Sequence, residues 1–129
     1  MTDQSSPAEG AVPPPGPMPE PSLSDFERFR RAQFLFAQKL YREAAVELES
    51  LLGTSDPGHG LSEVRLTLAR AYFHSAQLSR AEGLAREMLA ERPEDGYVAV
   101  LLARSLERQG RGAEAAPYLE RARVLGQDV

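Results

Sequence analysis

A step of 34 residues runs through this chain. Leu68-Ala69-Arg70 returns as Leu102-Ala103-Arg104, and Ala81 returns as Ala115, each 34 positions on. A looser copy lies upstream, where Ala44 follows Ala32 by twelve residues, as Ala81 follows Ala69. A fixed period of this size, with small residues held at two places of a helix-turn-helix unit, points to a helical repeat array. Such scaffolds make binding surfaces, so the period speaks to the kind of work the chain does and leaves the partner open.

The stretches inside each period read as helices. Val64, Leu68, Ala69, Ala71 and Tyr72 recur at helical spacing, and the pattern predicts a first helix from Ser62 to about His74–Ala76. After a turn at Gln77-Leu78-Ser79, Ser79 is expected to cap a second helix, with Glu82 as its capping-box partner. That helix carries Ala81, Leu84, Ala85, Met88 and Leu89 and stops at Arg92-Pro93, because proline disfavours helical geometry in the residue before it. The next copy runs through Val98, Leu101, Leu102 and Leu106, breaks at Gln109-Gly110-Arg111-Gly112, and resumes with Ala115, Leu119, Ala122 and Leu125. Pro117 fits there if the last helix starts near Ala115 and holds the proline in its first turn. The earliest copy opens with the capping box Ser24-Asp25-Phe26-Glu27, runs through Phe29, Ala32, Leu35 and Phe36, and turns near Lys39–Tyr41. It resumes with Ala44, Ala45, Leu48, Leu51 and Leu52, and the loop from Gly53 to Gly60 is about three residues longer than the period allows.

This arrangement resembles the tetratricopeptide repeat, a 34-residue unit with small residues at positions 8 and 20, large apolar ones at 7, 11, 17, 24 and 27, and proline at 32. Counted from Ser62, Leu68, Ala69, Tyr72, Leu78, Ala81, Met88 and Pro93 fall on 7, 8, 11, 17, 20, 27 and 32 with one framework position (24) left to Ala85. Counted from Gly96, Leu102, Ala103, Leu106, Ala115, Leu119 and Ala122 take 7, 8, 11, 20, 24 and 27. Asp25 starts a weaker copy with Ala32, Leu35, Tyr41, Ala44, Leu48 and Leu51 in place. Arg31 on position 7, Gly112 on 17 and Gln127 on 32 depart from the pattern, mostly in the outer repeats, where terminal units usually diverge. The resemblance implies an all-α fold, a short right-handed α-solenoid of three antiparallel helix pairs over 25–58, 62–95 and 96–129.

Composition separates a tail from this array. Residues 1–24 hold seven of the ten prolines and no lysine, arginine or aromatic residue, so they are expected to form a disordered Pro-rich tail. Asp3, Glu9 and Glu20 give that tail −3, which leaves 15 basic and 16 acidic residues in 25–129. A module so close to neutral, with its signs interspersed, has no electrostatic footprint for nucleic acid and no basic amphipathic stretch for a membrane surface. No apolar run approaches the ~20 residues that span a bilayer, and no secretory leader pattern opens the chain. Fourteen of fifteen basic residues are arginine, and Asn and Ile are absent, a bias expected of a GC-rich bacterial genome. A cytoplasmic setting is therefore expected.

Catalytic chemistry finds little material. There is no cysteine, so thiolate metal sites are excluded, and His59 and His74 lack the spacing of metal ligands. Gly53 to Gly60 lacks the Gly-Lys-Ser/Thr of a phosphate-cradling loop. The chain is expected to be non-enzymatic, with no cofactor.

In tetratricopeptide arrays the first helix of each repeat lines a concave groove, chiefly through positions 2, 5, 9, 12 and 13. Carried onto this chain, the resemblance implies a groove of Phe26, Phe29, Gln33 and Phe36, then Leu66, Arg70, Phe73 and His74, then Tyr97, Arg104 and Arg108. Aromatic and arginine side chains are common interface anchors, so a protein or peptide partner with acidic and apolar residues is expected, met by aromatic groups at one end and an arginine ladder at the other. The family's clamp for chaperone C-termini is absent, because its positions hold Phe29, Gln33, Thr67, Tyr97 and Leu101. The resemblance implies an adaptor; a secretion-type chaperone for an aggregation-prone client is the alternative. Leu119, Ala122 and Leu125 on a last helix with nothing after it predict weak homo-oligomerisation.

Overall fold

Each apolar stripe becomes one helix. The computed structural model describes residues 24–54 and 60–129, which form α1 (Asp25–Ala37), α2 (Tyr41–Thr54), α3 (Leu61–His74), α4 (Leu78–Glu91), α5 (Gly96–Arg108) and α6 (Gly112–Val124). The expected tail therefore lies outside the described residues except for Ser24, as do residues 55–59 of the long loop. Every helix packs on the one before it and the one after it, so the chain is a short helical solenoid.

The alanines explain the closeness of the pairs. Ala32, Ala69 and Ala103 on the first helices, and Ala44, Ala81 and Ala115 on the second, are all 0% exposed. A methyl group at each crossing lets two backbones approach, where a larger side chain would hold them apart. Around these crossings Leu48, Leu51, Leu68, Leu102 and Leu106 make the core. Ser105, also fully buried, satisfies its hydroxyl by donating to the Leu101 carbonyl at 2.8 Å.

The turns inside the repeats are also built alike. Lys39, Ala76 and Gly110 share repeat position 15 and all adopt left-handed backbone, at φ 64°, 61° and 76°. At each, the following amide bonds back across the turn, from Leu40 to Leu35, Gln77 to Tyr72 and Arg111 to Leu106. This reversal satisfies carbonyls that a helix end would otherwise leave unpaired.

Three local expectations are corrected. The Ser24–Glu27 capping box forms, with Glu27 N–H donating to Ser24 Oγ at 3.1 Å. Ser79, however, is no cap, since α4 already begins at Leu78 and Gln77 precedes it without a side-chain cap bond. Glu82 is drawn instead to Arg86, Gln109 and Arg111, stronger partners than a serine amide. Pro117 lies in the second turn of α6, not its first, because that helix starts at Gly112. Both Pro117 and Ala113, whose carbonyl loses its helical donor, are exposed, so the missing bond costs less than it would in the core. Finally, Ala122 is fully buried against its own array and Leu119 is half-buried, so of the three residues expected to form an oligomer contact only Leu125 is exposed.

Candidate peptide-binding groove

Helix contacts tell which face of the array is concave. The first helices of successive pairs touch, α1 with α3 and α3 with α5, whereas α2 and α4, and α4 and α6, make no such contact among the described residues. A stack closer together on one side than the other curves toward the close side. The inner face therefore belongs to α1, α3 and α5, the helices that carry the expected groove residues.

Those residues keep accessible surface. Phe26 is 69% and Tyr97 44% exposed, while Phe29, Phe36, Leu66, Phe73, Arg70 and Arg104 are half-buried and Gln33, His74 and Arg108 exposed. A depression of about 210 Å3 opens between α3 and α5, lined by Arg70, Phe73, His74, Tyr97, Val100, Leu101 and Arg104. Phe26 and Leu66 stand apart from it. Arg30 lies over the Phe26 ring at 5.8 Å, and Leu66 lines a second depression of about 250 Å3 with Arg65, Met88 and Glu91.

Aromatic and cationic groups alternate along the face; they do not separate into two ends as expected. The Arg70 guanidinium lies 4.8 Å over the Phe36 ring, and that of Arg108 lies 4.8 Å over Phe73. Arg108 also donates to the Phe73 carbonyl at 3.1 Å. Between the two arginines sits His74, stacked on Tyr41 at 4.6 Å and edge-on to Phe36 and Phe73 at 5.8 and 5.6 Å. Partial burial, then the charges of Arg70 and Arg108, hold the His74 imidazole below its ordinary range. Tyr41 was not legible as a groove residue, since it occupies a framework position of its repeat and looks like core.

The third arginine differs. Arg104 is neutralised by Glu107 at 2.8 Å, one helical turn away, so the ladder is not a row of three equal cations. Arg70 and Arg108 have no carboxylate partner among the described residues. A guanidinium over a ring keeps N–H groups that a carboxylate can take, and those of Arg108 other than the Nη1 bound to the Phe73 carbonyl are open to one.

No group of three or more His, Cys, Asp or Glu side chains suited to a metal occurs among the described residues. No helix there is long and apolar enough to cross a membrane. A family model for the tetratricopeptide repeat matches residues 35–105, from the end of α1 through most of α5. A search of curated proteins finds no match.

Proposed function

Because the chain belongs to the tetratricopeptide repeat family, whose repeats mediate protein–protein interaction, we propose that it is a non-enzymatic adaptor that holds an acidic, partly apolar protein segment in the groove of α1, α3 and α5. The observation that carries this reading is the pair Arg70 and Arg108, each guanidinium lying over a phenylalanine ring and paired with no carboxylate among the described residues. Carboxylates of the partner would pair with these guanidinium groups, and an apolar side chain would fill the depression beside Phe73 and Tyr97. The arginine bias supports a bacterial origin, and we assign the protein to the cytoplasm.

The test is quantitative affinity capture with the wild-type chain beside an Arg70→Ala/Arg108→Ala variant. Partners bound in the groove should be depleted at least fivefold from the variant at unchanged thermal stability, and salt should weaken wild-type capture in parallel. Equal capture by both proteins moves the site off this face.

The exposed rings of Phe26 and Tyr97 also suit the chaperone reading, in which the groove shields an aggregation-prone client. Suppression of a client's light scattering at stoichiometric ratio distinguishes a chaperone from an adaptor. A self-associating module is less well supported, given the burial of Ala122.

A further inference from the structure

The groove described above lies within reach of an acidic segment in the same molecule. Residues 1–23, absent from the described structure, carry Asp3, Glu9 and Glu20 and no lysine or arginine. They join the array at Ser24, the cap of α1, which forms one wall of the groove. We propose that this N-terminal segment is an intramolecular ligand of the groove, its carboxylates pairing with Arg70 and Arg108, so that an external partner must displace it. The proposal rests on the reading of the groove as a site for acidic, partly apolar segments.

Three observations favour this occupant over a second copy or an unrelated partner. The first is charge: the three charged side chains of the segment are all acidic, while the groove holds two guanidinium groups without a carboxylate among the described residues. The second is composition. Seven prolines, with Val12, Met18 and Leu23 as apolar groups, give a chain of low entropy cost whose rings suit aromatic walls such as Phe36 and Phe73. The third is reach. Glu20 and Glu9 precede Ser24 by four and fifteen residues, which at ~3.3 Å each extend to roughly 13 and 50 Å. Packed helices lie roughly 8–10 Å apart and rise about 1.5 Å per residue, so Arg70, nine residues into α3, and Arg108, twelve into α5, lie roughly 17 and 27 Å away, within the tether of Glu9 but beyond that of Glu20. Tethering over so short a span gives an effective concentration on the order of millimolar, so even weak affinity suffices for occupancy.

The test uses the full chain and a fluorescent synthetic peptide of residues 1–23. A variant with Asp3→Asn, Glu9→Gln and Glu20→Gln removes the acidic ligand without touching the array. It should bind the peptide in trans at least fivefold more tightly than the wild-type chain, and Arg70→Glu with Arg108→Glu added to it should abolish that binding. Equal affinity of the wild-type and neutralised chains overturns the proposal, and so does failure of the neutralised chain to bind the peptide. A synthetic heptapeptide of alternating glutamate and phenylalanine separates the two readings. If it binds the neutralised chain while the 1–23 peptide does not, the tail proposal falls and the groove stands; if neither binds, both fall. As a second readout, the cysteine-free chain accepts a single spin label at Ser5→Cys. Amides of α3 and α5 should then broaden at low salt and sharpen on charge reversal of Arg70 and Arg108, and broadening confined to α1 would count against docking.

Discussion

Ala76 turns the chain between α3 and α4 with a left-handed backbone that Lys39 and Gly110 share at the same repeat position. Only Gly110 adopts it without a steric penalty. For a residue with a Cβ that conformation costs ~1–2 kcal/mol, offset in part by the ~0.5–1 kcal/mol of extra entropy that glycine loses on folding. Ala76→Gly should therefore stabilise the protein by about 0.5–1 kcal/mol, read as a higher denaturation midpoint in urea at unchanged slope. The crossing alanines were legible because a small residue that recurs at a fixed step among large ones marks a place where two backbones must approach. Ser79 misled because a serine three residues before a glutamate is also what an ordinary first turn contains. Tyr41 was hidden for the opposite reason, since a framework residue near a helix end can pack inward and still lend its ring to His74.

At the scale of elements, Glu82 ties α4 to the turn between α5 and α6. It accepts from Arg86 Nε at 2.9 Å, Gln109 Nε2 at 3.0 Å and Arg111 at 2.7 Å. Burial pushes its carboxyl up, but these bonds outweigh burial and leave it below the ordinary glutamate range. A carboxyl depressed by folding contributes stability above its unfolded pKa of ~4.3 and loses it as pH falls through the folded value. His74 acts in a different window. Its folded pKa is lowered, so the folded state disfavours the imidazolium, and stability declines as pH falls below ~6.5. Thermal melts from pH 8 to 3 should show a shallow decline beginning near pH 6.5, absent in His74→Gln, and a steeper one below about pH 4.3. Glu82→Gln should lower the stability at pH 7 by about 1 kcal/mol and soften the acid step. The helices themselves were readable from periodicity, whereas this bridge was not, because partners 27 and 29 residues apart meet only once the pairs have stacked.

Across the whole molecule, the two ends of the solenoid differ from its middle by charge. Stepping by 37 and then 34, Glu27 matches Val64 and Val98, and Arg31 matches Leu68 and Leu102. The four inner residues are buried, while Glu27 and Arg31 are exposed. At the other end Arg123, exposed and paired with Glu120, matches Leu89, which is buried. Terminal repeats need such polar outer faces to stay soluble. The chain should accordingly sediment as a monomer up to about 100 μM, a scale at which only weak contacts are populated, and a rising mass would implicate exposed Val124 and Leu125.

Among the described residues, contacts between helix pairs join only neighbouring repeats, which makes the array, in thermodynamic terms, a one-dimensional lattice whose units melt from the ends inward. Among the described residues α1 buries only Ala32 completely and α6 only Ala115 and Ala122, whereas α5 buries eight residues. Amide hydrogen exchange should thus be fastest in α1 and α6 and slowest in α5. The aromatic groups Phe29 and Phe36 stand on α1, the helix expected to fray first, while Arg108 stands on α5, the one expected to be most protected. A ligand that bridges them has to quench the motion of one wall against the other, so its affinity should be read partly as slowed exchange across α1.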